Sequence, residues 1–228
     1  MTRAVLFDFY GTLPRAVTWG PTREEVLARH GYTIPDGVRA GWLDATLDGL
    51  DHAEHSVSRD RYRAWERERL RVMVEACGVG PDEAVPLVDE LYGATKSFML
   101  EAYPDAVAAL DDLRQAGLVV AVCSNWDWDL DRAMGQAGLT GLVDVCVTSA
   151  RAGARKPHPR IFERALDECG VRPEEAVFVG DSVGPDVEGP ARVGMRPVHV
   201  WRQPDPPPPL PRGAERVADL RAVAGLVT

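Results

Sequence analysis

The 228-residue chain is long enough to bury one core with a smaller appended unit, and at 45% hydrophobic and 27% charged residues it has the composition of an ordinary globular enzyme. Its net charge of −9 argues against nucleic acid or an anionic membrane as partner. No apolar run is long enough to span a bilayer, and a strand begins within the first few residues, which leaves no room for a signal peptide. Cys77, Cys123, Cys146 and Cys169 lie far apart without a CxxC spacing. Reduced thiols, buried at Cys123 and Cys146, and a cytoplasmic setting are therefore expected.

Val5-Leu6-Phe7 runs directly into Asp8-Phe9-Tyr10-Gly11-Thr12-Leu13. An apolar run that stops at Asp predicts a buried strand with a carboxylate at its C-terminal end, the edge where open α/β sheets bind ligands. A carboxylate there suits a covalent nucleophile or a ligand for a hard cation; it also suits a plain turn that closes the strand.

Residues 15 to about 98 read as a helical insert without strands. Thr22-Arg23-Glu24-Glu25 is a capping box whose helix should stop at Gly31. Ser58 caps a second helix through Tyr62, Trp65, Arg69, Val72 and Ala76, stopped by Gly78. Pro81-Asp82-Glu83 opens a third that runs towards Phe98. From Pro104 strand and helix alternate. The predicted strands are Leu118 to Cys123, Val143 to Val147, Ala176 to Val179 and Pro197 to Val200. The predicted helices are Pro104 to Ala116, Asp127 to Ala137 and Pro159 to Cys169. Such alternation implies right-handed crossovers and a parallel sheet. The Pro-rich run from Pro204 to Pro211 fits neither helix nor central strand, and a short helix near Ala218 to Ala224 closes the chain.

In a parallel sheet the strand ends carrying Asp8, Ser124-Asn125, Arg155-Lys156-Pro157 and Gly180-Asp181-Ser182, with Asp186 beyond, share one edge. Singly, Ser124 reads as a helix cap, Lys156 as a solvated lysine, and Asp181 and Asp186 as helix-start carboxylates. Together they make a constellation for phosphoryl transfer. An Asp nucleophile needs a cation, held by neighbouring carboxylates, to survive the approach of a dianion. A lysine, a hydroxyl and backbone N–H groups hold the transferred group, and Gly11 lets the backbone approach it.

In order and spacing these segments resemble the four motifs of the haloacid dehalogenase-like (HAD) hydrolase superfamily, over residues 1–14 and about 100–203. The resemblance implies a Rossmann-like α/β core, residues 1–14 and 99–228, with a helical cap, residues 15–98, inserted after the first strand. It implies Asp8 as nucleophile, Ser124 and Lys156 on the transferred group, and Gly11, Thr12 and Asn125 as substrate contacts. It also implies Mg²⁺ held by Asp8, the Tyr10 carbonyl and Asp181, with Asp186 in support. The partner is a small-molecule substrate; nothing in the sequence addresses oligomeric state.

Two departures stand out. The superfamily's phosphatases usually carry a second Asp, the general acid and base, where this chain has Tyr10. Tyrosine, with a reference pKa near 10, is a poor base at neutral pH. Three readings follow: a Mg²⁺-dependent phosphatase with altered acid–base support, a 2-haloacid dehalogenase whose halide leaves unprotonated, and a catalytically weak binding or regulatory fold. The Asp181/Asp186 pair favours the first, because a dehalogenase needs no Mg²⁺. The second departure is Pro190, which should make the helix after Asp186 start late or bend. Elsewhere His52 and His55 read as surface residues, and Arg61, Arg63, Arg67 and Arg69 as a solvated helix face. Trp126 and Trp128 read as core-to-insert packing, and Arg15 and Trp19 as candidate substrate contacts.

Overall fold

A computed structural model of the chain describes residues 1–43 and 47–227. β1 (Ala4–Phe7) is apolar and buried throughout. β2 (Pro14–Trp19) follows, then α1 (Arg23–Arg29), α2 (Asp36–Trp42), α3 (Arg59–Ala76) and α4 (Pro81–Ala94). β3 (Phe98–Ala102) returns the chain to α5 (Ala106–Gln115), β4 (Val119–Ser124), α6 (Leu130–Gln136) and β5 (Val145–Thr148). Next come α7 (Ser149–Ala152), α8 (Pro159–Cys169), β6 (Ala176–Gly180), α9 (Gly189–Arg192) and β7 (Arg196–Val200). β8 (Glu215–Val217) and α10 (Ala222–Val227) end the described chain.

Six strands form a parallel sheet in the order β5-β4-β1-β6-β7-β8. Both faces are covered, so its strands read as continuous apolar runs. Val5, Phe7, Val120, Val122, Val177 and Val179 face one layer with α5, α6 and α10. Ala4, Leu6, Ala121, Cys123 and Phe178 face the other, against Ile161 and Phe162 of α8. This is the α/β, Rossmann-like fold that the alternation implied. The helices between β2 and β3 bury a separate cluster built on Val26, Leu27, Met73, Val74, Leu87 and Leu91.

The helix starts follow the sequence. Thr22 and Glu25 make the capping box of α1, and Ser58 accepts from the Arg61 N–H to cap α3. The expectation that the insert lacks strands is overturned. β2 pairs antiparallel with β3, Pro14 opposite Ala102, as a two-stranded ribbon at the root of the helical insert. The third insert helix therefore stops at Ala94, because Phe98 belongs to β3. β8 was also unforeseen, and with Val217 in a strand the last helix starts at Ala222. Pro190 lies in the first turn of α9, where a missing N–H costs little. Ahead of it the backbone makes a π-helical turn, Val183–Glu188, that carries Asp186. Among the described residues, no helix is long and apolar enough to cross a membrane.

Candidate active site

β1 lies between β4 and β6, with Phe7 in register with Val122 and Val179. The residues just past these positions, Asp8, Ser124 and Asp181, therefore emerge side by side. The Asp8 N–H donates to the Val179 carbonyl at 2.8 Å, which ties the turn to β6. Asp8 Oδ1 accepts from Ser124 Oγ at 2.8 Å and from Lys156 Nζ at 2.6 Å. Lys156 Nζ also donates to Asp186 Oδ1 at 2.6 Å, and the Ser182 N–H donates to Asp186 Oδ2 at 3.0 Å. Thr12, fully buried, donates to Asp181 Oδ1 at 3.5 Å. Carboxylate oxygens of Asp8, Asp181 and Asp186 all lie within 4.8 Å of one another.

The backbone makes this crowding feasible. Gly11 has φ +89°, and a Cβ there would collide with the Asp181 carboxylate. A Cβ on Gly180 would likewise strike Asp186. Arg202 donates to Asp105 at 3.0 Å and to the Thr12 carbonyl at 3.1 Å, bracing the turn after β1. Buried His199 accepts from Arg216 Nε on Nδ1 at 2.9 Å. Its Nε2–H therefore donates to the Asp181 carbonyl at 3.0 Å, and burial lowers its pKa, so it is a neutral brace for that residue. Neither Arg202 nor His199 was singled out in the sequence; each acts on backbone far away in the chain, which leaves no local signal.

Burial first, then the charge of Asp8, raises the Asp181 carboxyl to about 6. Burial likewise pushes Asp186 up, against the pull of Lys156. Burial alone would lower Lys156, but Asp186 and Asp8 outweigh it and hold the amine above its ordinary range. Lys156 is thus a permanent cation facing two carboxylates at 2.6 Å, with Asp181 a third in the cluster.

Asn125 clamps the Lys156 backbone: its Oδ1 accepts from the Lys156 N–H at 2.6 Å and its Nδ2 donates to the Lys156 carbonyl at 3.1 Å. The insert grips the same loop. Gly49 N–H donates to the Lys156 carbonyl at 3.1 Å, Arg155 N–H to Leu50 at 3.0 Å and His52 N–H to Gly153 at 2.8 Å, with Arg160 on Asp51 at 2.6 Å.

Beside the cluster a cavity of about 430 Å³ lies between α1, α3, α4 and the sheet edge. Asn125 and Arg155, the neighbours of Ser124 and Lys156, form part of its wall; Asp8 itself does not. Tyr10, 37% exposed, sets its ring edge against Trp19 at 5.3 Å. Trp19 continues to Phe98 and Trp126, which packs on Phe9. Trp19 and Trp126 do face the cavity, whereas Arg15 pairs with Glu101 outside it and Trp128 meets Tyr62.

Three sequence expectations fail here. His52 is not at the surface: it is 3% exposed and stacked on Trp65 at 5.0 Å, with His55 stacked on the same ring. Burial and the nearby Arg155 lower its pKa to about 4, so it is a neutral packing residue. Arg63 and Arg69 are not simply a solvated face but line the cavity; Arg63, still partly exposed, reaches Asp129 at 2.7 Å across 66 residues. Cys146 is only half-buried, though all four cysteines are free thiols as expected.

A family model described as haloacid dehalogenase-like hydrolase matches residues 2–194. The chain is 38% identical over 206 residues to a phosphoserine phosphatase of Thermus thermophilus, covering 88% of this chain and 81% of that one. It is 31% identical over 210 residues to (S)-2-haloacid dehalogenase 1 of Pseudomonas sp., covering 88% and 85%. A 2-haloacid dehalogenase structure from Pseudomonas syringae pv. Tomato superposes with a TM-score of 0.69 at 22% identity, over 100% of this chain and 98% of that one, which speaks for the fold. With the family match spanning most of the sequence and the motif residues gathered at one sheet edge, the chain belongs to the haloacid dehalogenase-like hydrolases.

Proposed function

We propose that the protein is a Mg²⁺-dependent phosphatase acting on a small phosphomonoester through an aspartyl-phosphate on Asp8. The observation that carries this reading is the surplus of negative charge at the sheet edge. Three carboxylates with oxygens inside 4.8 Å face the single ammonium of Lys156, and two of them are driven towards protonation. Hard oxygen donors at that density suit a divalent cation. Asp8, Asp181 and the Tyr10 carbonyl would hold Mg²⁺, with Asp186 in support, and the ion would supply charge neutralisation for an incoming dianion.

Asp8 then attacks phosphorus with the oxygen left free by Ser124 and Lys156, both of which bond Oδ1. The Ser124 hydroxyl and the Lys156 ammonium are placed to pass from Asp8 to the equatorial oxygens of the transferred group. Tyr10 offers no carboxyl to protonate the leaving alkoxide, so substrates with good leaving groups are favoured unless another donor serves. Helices α1 to α4 act as a cap whose closure excludes water from the attack. The phosphoserine phosphatase relative supports this reading.

Dehalogenation of a 2-haloacid is the second reading. Tyr10 in the acid–base position favours it, since halide departs without a proton, as does the likeness to the Pseudomonas dehalogenase. The carboxylate surplus, of no use to that reaction, weighs against it. A panel of phosphomonoesters and 2-haloacids, each with Mg²⁺ and with chelator, tests both. Phosphate release abolished by chelator is expected; halide release indifferent to chelator would replace the first reading with the second. Beryllium fluoride with Mg²⁺ should mount a phosphoryl mimic on Asp8, which a non-catalytic fold would not do.

A further inference from the structure

The cavity beside the catalytic edge carries a charge that contrasts with the rest of the molecule. The chain as a whole is at −9, yet the wall holds more cations than anions, and its ion pairs leave four guanidiniums over: Arg132, which is exposed, and the less exposed Arg23, Arg69 and Arg155. Arg63 is taken by Asp129, and Lys96 by Asp127 and by Glu66 at 3.6 Å. Arg23, Arg69 and Arg155 form no ion pair among the described residues. Arg23 donates to the Trp42 carbonyl at 3.2 Å. Arg69 lies over the rings of Trp65 and Trp42 at 5.1 and 5.5 Å. The Nε of Arg155 is buried without a hydrogen-bond partner. All three are desolvated enough to be pushed below the usual guanidinium range, and Arg23 and Arg155 both oppose the charge of Arg69.

Three partly desolvated like charges are costly to hold together, and the one carboxylate that acts on all of them, Glu66, is already engaged by Lys96. Planar guanidinium forks match an oxyanion, and the aromatic residues about them, Trp42 and Tyr62, exclude water that would weaken such contacts. Arg155 precedes Lys156 in the chain, so an anion in the cavity lies one residue's reach from the reacting group.

We propose that Arg23, Arg69 and Arg155 receive a second anionic group on the substrate, so that the preferred phosphomonoester carries a carboxylate or a further phosphoryl on its organic part. The identity of the reacting group rests on the phosphatase reading; the subsite itself does not. Because two of the arginines are on α1 and α3 and the third is on the Lys156 loop, the second anion also ties the insert to the catalytic edge.

The test compares phosphomonoesters that differ only in a terminal carboxylate, phosphoryl or carboxamide, together with their non-hydrolysable phosphonates, on wild type, Arg69→Met, Arg155→Met and Arg69→Lys. The charged ester is expected to exceed the carboxamide in kcat/KM by about 10- to 100-fold, mainly through KM. Both methionine variants should bring that ratio near unity, and Arg69→Lys should keep part of it. Whichever of carboxylate and phosphoryl shows the larger ratio identifies the anion. Calorimetry with the phosphonates reads the subsite without turnover. If no ester is hydrolysed but the charged phosphonate still binds more tightly, and loses that advantage in Arg69→Met, the phosphatase reading falls and the subsite stands. Equal rates and equal affinities for charged and carboxamide ligands overturn the subsite, as does a folded methionine variant that keeps the full preference.

Discussion

The Lys156 ammonium meets the Asp8 carboxylate at 2.6 Å across 148 positions of sequence, with almost no solvent at either partner. Replacing Lys156 with Met would leave Asp8 and Asp186 buried beside Asp181 with no ion-pair partner among the described residues. Breaking a buried pair from one side typically costs about 3–5 kcal/mol. Urea unfolding of Lys156→Met should show a loss of that order, and added Mg²⁺ should restore part of it. A change within about 0.5 kcal/mol would mean the pair contributes nothing.

Asp8→Asn keeps the shape of the side chain and removes the carboxylate proposed as nucleophile. Turnover of any hydrolysed phosphomonoester should drop on the order of 10⁴-fold or more, with the thermal transition retained. Steady-state kinetics beside a melting curve checks it, and near-normal hydrolysis would remove Asp8 from the role assigned to it.

Tyr10→Asp would restore a carboxyl at the acid–base position. Alkyl phosphates, whose leaving groups need a proton, should gain 10-fold or more, while nitrophenyl phosphate should change little; general acid catalysis typically contributes about 10²–10⁴-fold. Comparison of the two substrate types isolates the effect. No gain on alkyl phosphates in a folded variant would show that another donor already operates.

The Asp181 carboxyl, ordinarily at 3.8, is raised to about 6 by burial and by Asp8. Between those values the folded, metal-free protein holds a proton that the unfolded chain has released. Stability of the metal-free protein should therefore fall as pH rises through that window and level off above it. Protons and Mg²⁺ compete for the same oxygens, so the rise in melting temperature caused by Mg²⁺ should grow from about pH 5 to about pH 7.5. A Mg²⁺ effect that is largest at the acid end would contradict a site built on Asp181.

The sheet was legible because its strands are short apolar runs closed by polar tips, and each run is decided by its own residues. The same locality exposed Asp8, Ser124, Lys156, Asp181 and Asp186, once a parallel sheet was assumed to align their strand ends. What escaped notice depends on partners distant in the chain. Pro14 to Trp19 becomes a strand only against Phe98 to Ala102, and most of that ribbon is exposed, so no apolar pattern marks it. His52 looks like a surface histidine until Trp65 covers it. Arg63 looks like one member of a charged helix face until Asp129 arrives from beyond β4. Arg23, Arg69 and Arg155, without an ion pair among the described residues, are a property of a cavity wall assembled from three places, which no spacing announces.

The backbone bonds from Gly49 and His52 to Lys156 and Gly153, and from Arg155 to Leu50, make the gripping segment part of the lysine's own scaffold. A movement of the insert that carried residues 49–52 with it would either break those bonds or drag the lysine loop along. Admission of a ligand and the aim of the ammonium would then be one mechanical event. In such a movement the ammonium that meets Asp8 would shift together with the segment that grips it.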